Sequence, residues 1–159
     1  MVNQVLGALD QAAVKYQVID HPPVYTAEEA DKYVQGYEFA RTKNLFLKNS
    51  NGFYLVVIDE NKRLDMKQLR QIVHGSRLKF ASDADLTKYL GSYAGAVSPM
   101  NLINDQDHQV TVIFDQDVID HHDQIGCHPN TNRQTVILPI LGLLKLLKQW
   151  GNPVIKVQL

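Results

Sequence analysis

The chain has 159 residues, 45% hydrophobic and 21% charged, with a formal net charge of −1. That is the balance of a globular domain long enough to bury a sizeable core, and it gives no whole-molecule field that would gather nucleic acid. The one cysteine, Cys127, excludes an intramolecular disulfide and fits a cytoplasmic setting; the first residues lack a signal-peptide pattern, and no apolar run approaches the ~20 residues of a membrane span.

Val2, Val5, Leu6, Leu9 and Ala13 recur at helical spacing, so residues 2–15 read as an amphipathic helix. Val18 and Ile19 begin a short strand that stops at His21-Pro22-Pro23, and Thr26 with Glu29 forms a capping box for a helix running to about Gln35, ended by Gly36. Residues 42–48 and 53–58 are strand-rich, and Asn51-Gly52 between them signals a hairpin. Asp65 caps a helix through His74, and Ser82 with Asp85 opens another through Leu90, each closed by a glycine. Residues 92–107 read as an irregular loop, 109–114 and 134–138 as strands, 139–150 as a last helix with Pro139 in its first turn, and 154–157 as a final strand. Helices and strands mix without regular alternation. The expected fold is therefore a mixed α/β (α+β) class, one domain over 1–159, with a curled mixed sheet surrounded by helices.

Charge is uneven along the chain. Residues 61–80 hold Lys62, Arg63, Lys67, Arg70, Arg77 and Lys79 against Asp65 alone, whereas 115–123 hold four aspartates and no Lys or Arg. The basic stretch reads either as a solvated helix face or as a footprint for the phosphates of a small RNA end.

Three segments pair polar groups with Gly or Pro, or set them in an apolar strand. On the period of two, Lys43 shares a face with Leu45 and Leu47, so its ammonium either snorkels to solvent or faces a polar cavity. Gly95-Ala96-Val97-Ser98-Pro99 is either a plain turn or a loop that presents fixed carbonyls to an ammonium group. His128-Pro129-Asn130-Thr131-Asn132 follows Cys127. With His121 and His122 these residues are the most metal-like cluster, but they match no zinc spacing, and adjacent positions on a strand keep Cys127 from pairing with His128 as a nucleophile. Tyr25, after His21-Pro22-Pro23-Val24, is either a core aromatic or a rim residue that stacks on a nucleobase.

Together these blocks resemble the YbaK/prolyl-tRNA-synthetase-associated editing domain family. The resemblance runs from His21-Pro22-Pro23-Val24-Tyr25 through Lys43-Asn44-Leu45-Phe46-Leu47, Asp85 to Gly91, Gly95 to Pro99 and Leu102 to Asp105, to His128-Pro129-Asn130-Thr131-Asn132 and Thr135. It implies a metal-free and cofactor-free deacylase that acts in trans on mischarged tRNA(Pro), chiefly alanyl-tRNA(Pro). The partner is the acceptor end of that tRNA, with neither membrane nor DNA involved, and prolyl-tRNA synthetase is left open as a second partner. By resemblance Lys43 holds the 3′-terminal nucleotide, Asn44 helps place the ester, the backbone of Gly95, Ala96, Val97, Ser98 and Pro99 holds the aminoacyl amine, and His128 lines the aminoacyl pocket. No protein nucleophile is evident, so water oriented by the 2′-hydroxyl of the terminal ribose is the expected attacking group. Met100, Cys127, Arg133 and Gln134 depart from the family pattern and bear on amino-acid preference. The competing readings are a cysteinyl-tRNA(Pro) deacylase, a non-catalytic module that binds a tRNA end, and a metal-dependent hydrolase built on the 121–128 cluster.

Overall fold

A computed structural model describes residues 2–159; Met1, and with it the first position of the expected 1–159 domain, lies outside the described residues, as do the side chains of Val2, Asn3 and Ala27. Helix α1 (Val2–Gln11) is shorter than the 2–15 expected. Val14 N–H donates to the Leu9 carbonyl and Ala13 N–H to the Asp10 carbonyl, while Ala13 takes φ 56°, the bonding of a Schellman end with alanine where glycine is usual. Strand β1 (Gln17–Asp20) follows, then α2 (Ala27–Tyr33), capped by the Thr26 hydroxyl and ending two residues before Gln35.

Strands β2 (Thr42–Asn49) and β3 (Gly52–Asp59) form the expected hairpin. Asn49 pairs with Gly52, so the two-residue turn is Ser50-Asn51 and Gly52 begins β3 with its φ at 147°. Helix α3 (Met66–Val73) is capped by Asp65. A two-residue strand, β4 (Lys79–Phe80), which the sequence does not announce, precedes α4 (Asp83–Asp85), which continues as a π-helical turn over Leu86–Leu90 and closes at Gly91. The segment read as loop contains a 3-10 helix, Pro99–Asn104, capped by Ser98. After β5 (Val110–Asp115), the acidic run forms a short helix, α5 (Gln116–His121), because Asp115 accepts from the Asp117 N–H at its start. Strands β6 (Gln124–Cys127) and β7 (Gln134–Pro139) lead into α6 (Ile140–Trp150), where Pro139 is the cap residue rather than part of the first turn, and β8 (Val154–Val157) ends the fold.

The mixed α/β class holds, with the sheet in two parts. Strands β1-β7-β6 make a three-stranded antiparallel sheet, and β4-β2-β3-β5-β8 a five-stranded mixed one. A single bridge, Ala40 to Ile125, links them. The centre of the five-stranded sheet is buried on both faces, which is why β3 reads as an unbroken apolar run. On one side Phe46, Leu55, Val57, Val112 and Phe114 pack with α1, α6 and the smaller sheet. On the other, Leu47, Tyr54, Val56, Ile58 and Ile113 pack against Leu69 of α3.

Candidate functional site

Strand β2 is the frame of the site. β4 pairs with it only at Leu47 and Lys48, so the edge of β2 from Thr42 to Leu45 carries no partner strand. Ala81 N–H donates to the Phe46 carbonyl on that edge; by alternation the main-chain groups of Asn44 and Thr42 point the same way, into the opening. A cavity of about 350 Å³ wraps this edge and is bordered by residues 42–46, by Tyr25 and α2, by Gly95 and Val97, and by Gly126, Cys127 and His128.

The two faces of β2 give the cavity two sides. Asn44 lies on the main-core face with Phe46, and its Nδ2 donates to the Val97 carbonyl at 3.2 Å. That bond ties the strand to the Gly95–Pro99 loop. Asn44 Oδ1 and Thr42 Oγ1 are buried without a protein partner, two groups with hydrogen-bonding capacity left at the cavity wall. Lys43 lies on the opposite face with Leu45 and makes no ion pair or hydrogen bond among the described residues. Asp31 and Glu60 line the same cavity, Asp31 tied to Arg41, but neither is bonded to Lys43, and an ammonium with no carboxylate bonded to it is suited to an anionic ligand.

The loop residues divide by task. Gly95 and Val97 border the cavity, whereas Ala96, Ser98 and Pro99 are buried behind it. Ser98 accepts from the Met100 N–H, its own N–H donates to Asn101 Oδ1, and Asn101 Nδ2 donates to Asn130 Oδ1 at 2.8 Å. Asn132 Nδ2 donates to the Val24 carbonyl at 2.8 Å, and Tyr93 Oη donates to Asn132 Oδ1. The asparagines after His128 are therefore clamps. They fasten together the loop before α2, the Gly95 loop and the β6–β7 connection, and their role was not readable from the sequence.

Gly95 has φ +93°, and a Cβ there would stand 3.1 Å from Tyr25 Cδ1 and 3.2 Å from Tyr25 Cα. Gly95→Ala is expected to cost about 1–2 kcal/mol of stability, because L residues disfavour this conformation and the Tyr25 backbone cannot retreat cheaply. Thermal melts and the KM for substrate check it together; a variant unchanged in both contradicts this packing. Tyr25 itself stands at the rim, 62% exposed, rather than in the core.

His128 Nδ1 must carry the proton, since it bonds the Gln134 carbonyl at 2.9 Å, which leaves Nε2 as an acceptor. Burial holds its imidazole below the usual value, assisted by His21 and opposed by the Gln134 carbonyl, so the neutral form prevails at pH 7. Burial pushes the Cys127 thiol up to about 12, so it is no thiolate nucleophile. Opposite, Arg41 bonds Asp31 at 3.2 Å and covers the Phe39 ring at 4.2 Å. Glu60 beside them is raised to about 7, first by burial and then by Asp31. Phe39 packs over Gly126, where a Cβ would come within 2.5 Å of its ring.

Among the described residues no three His, Cys, Asp or Glu side chains come together as a metal site, and His121 and His122 stay with α5, away from the cavity lining. No helix among them is long and apolar enough to cross a membrane. The basic stretch is not uniformly free, since Lys62 is tied to Asp115 and Asp117.

The family model of the aminoacyl-tRNA editing domain matches residues 21–146. Over 151 residues the chain is 38% identical to the prolyl-tRNA editing protein ProX of Acetoanaerobium sticklandii, covering 93% of this chain and 91% of that one. It is 32% identical over 156 residues to prolyl-tRNA synthetase associated domain-containing protein 1 of Bos taurus, covering 95% and 89%. A crystal structure of a proposed trans-editing enzyme for prolyl tRNA synthetase superposes with a TM-score of 0.75 at 24% identity, covering 99% of this chain and 96% of that one, a likeness of fold.

Proposed function

The chain belongs to the aminoacyl-tRNA editing domain family and is an aminoacyl-tRNA deacylase, and we propose that the ester it removes is that of alanyl-tRNA(Pro). The observation that carries this reading is the placement of Lys43, an unpaired ammonium at the open edge of β2, in one cavity with Asn44, Gly95, Val97 and His128. Lys43 holds the phosphate of the terminal nucleotide. Asn44 Oδ1, free of protein partners, accepts from a ribose hydroxyl, and the carbonyls of the Gly95 loop receive the aminoacyl ammonium. Tyr25 stacks on the terminal base. The neutral His128 bounds the side-chain pocket without adding a charge.

With Cys127 held as a thiol, the attacking group is water, oriented by the 2′-hydroxyl beside the ester. Catalysis then rests on positioning and on stabilising the developing oxyanion. Gly126, Cys127 and Phe46 leave room for a small side chain. A methylene is worth only ~1–3 kcal/mol in affinity, so cognate proline must be refused by its ring's bulk rather than by weaker attraction. The acceptor end of tRNA(Pro) is the partner, and the names of the relatives point to prolyl-tRNA synthetase as a second.

Deacylation of alanyl-, cysteinyl-, seryl- and prolyl-tRNA(Pro) by the purified chain tests this. The alanyl ester is expected to be cleaved fastest and the prolyl ester spared. Preference for the cysteinyl ester, or turnover of none of the four, would sink the assignment.

A further inference from the structure

We propose that Phe80, on the two-residue strand β4, is a stacking platform for the nucleotide that precedes the terminal one, so that the single-stranded 3′ end enters along the outer face of β2. This rests on the deacylase reading above and extends its substrate contacts beyond the terminal adenosine.

Phe80 is 63% exposed, borders the cavity and belongs to neither apolar core. It pairs with Leu47 across β4 and β2, which sets its side chain on the face that carries Leu45 and Lys43. That face is thus an ordered row: an exposed ring, then a half-buried leucine, then an unpaired ammonium. At ~3.3 Å per residue, Lys43 lies ~13 Å along β2 from the Leu47–Phe80 pair. The ester chamber lies around the open edge, on the Asn44 side. A chain whose terminal ester occupies that chamber, with its terminal phosphate on Lys43, leads back along the face toward Phe80.

Charge favours an anionic strand on this path. Lys43 lies on this path, and Arg77 and Lys79, just before the ring in the chain, are exposed and pair with no acid among the described residues, although alternation turns Lys79 to the other face of β4. An aromatic face beside free cations binds single-stranded nucleic acid without regard to base identity, through stacking and phosphate attraction. A phenylalanine packed as core would instead join the cluster around Leu69 beneath it, which this ring does not.

The test compares wild type, Phe80→Ala and Phe80→Trp on alanyl-tRNA(Pro) and on the alanyl ester of adenosine, which has no preceding nucleotide. The ratio of kcat/KM for tRNA to that for the adenosine ester is expected to fall about tenfold in Phe80→Ala, through KM, and to recover in Phe80→Trp. A ratio that stays at the wild-type value overturns the platform while the deacylase reading stands. Should wild type cleave neither ester, that reading falls, and titration with a short oligonucleotide ending in CCA decides the platform alone. Binding that weakens in Phe80→Ala then supports it, and binding that is absent or indifferent to Phe80 overturns it.

Discussion

Lys43→Ala is expected to lower kcat/KM for the mischarged tRNA by at least about 100-fold while the protein melts as wild type does. The two halves of that result have one cause. Lys43 sits at an edge where β2 has no neighbouring strand, and its side chain makes no ion pair or hydrogen bond among the described residues. Its removal leaves no buried partner orphaned, so folding has little to lose. The charge it supplies matters only when an anion is present, and among the described residues no neighbouring cation can take its place: Arg41 is committed to Asp31 and to the Val34 and Tyr37 carbonyls, and Arg77 and Lys79 lie toward the β4 end, roughly 13 Å along the strand. Lys43→Arg should recover part of the activity, since a guanidinium keeps the charge but not the shape of the contact. Single-turnover deacylation beside a thermal melt measures both halves. Full activity in Lys43→Ala removes the residue from the mechanism, and a collapsed melt makes it structural.

The opposite outcome is expected at Lys62. Lys62 Nζ lies 3.0 Å from Asp115 Oδ2, 2.7 Å from Asp117 Oδ2 and 3.2 Å from the Leu159 oxygen. The Asp115 side chain is 0% exposed, and its remaining contacts are N–H groups of Asp59, Asp117 and Leu159. Lys62→Met would strand that carboxylate in the interior and is expected to cost about 3–5 kcal/mol. For a chain of this size that corresponds to a melting temperature lower by roughly 10 °C. Asp115→Asn introduced into Lys62→Met should restore most of the loss, because an amide oxygen in the Oδ1 place still accepts the Asp117 and Leu159 N–H groups and carries no charge, at the cost of the long Asp59 contact. Arg63→Met, next along the chain and exposed, should stay within about 0.5 kcal/mol of wild type. Unfolding curves for the four proteins check it; Lys62→Met melting within 2 °C of wild type contradicts the buried-pair account.

Local features were legible in the sequence. The caps at Thr26, Asp65 and Ser82 stand where side-chain and N–H partners lie two or three residues apart. The apolar run of β3 is visible because both faces of its sheet are covered. What escaped depends on distant partners. Asn132 reaches Val24, 108 positions away, and Asn101 reaches Asn130, 29 away, so nothing near either residue announces a clamp. Lys62 looked like part of a solvated face for the same reason: its partner Asp115 is 53 positions on. β4 is too short to show any periodicity, and without it neither the open edge of β2 nor the exposure of Phe80 could be foreseen.

The open edge has a consequence for the protein's life in a crowded solution. Unpaired main-chain donors and acceptors on a strand are a template for another strand, and proteins usually blunt such edges with a charge. From Thr42 to Leu45 the one charge present is Lys43. The residue proposed to receive a substrate phosphate therefore also guards against self-association through β-strand addition. A neutral residue there trades a working enzyme for a sticky one, and light scattering of Lys43→Ala over days is where that second duty would become visible.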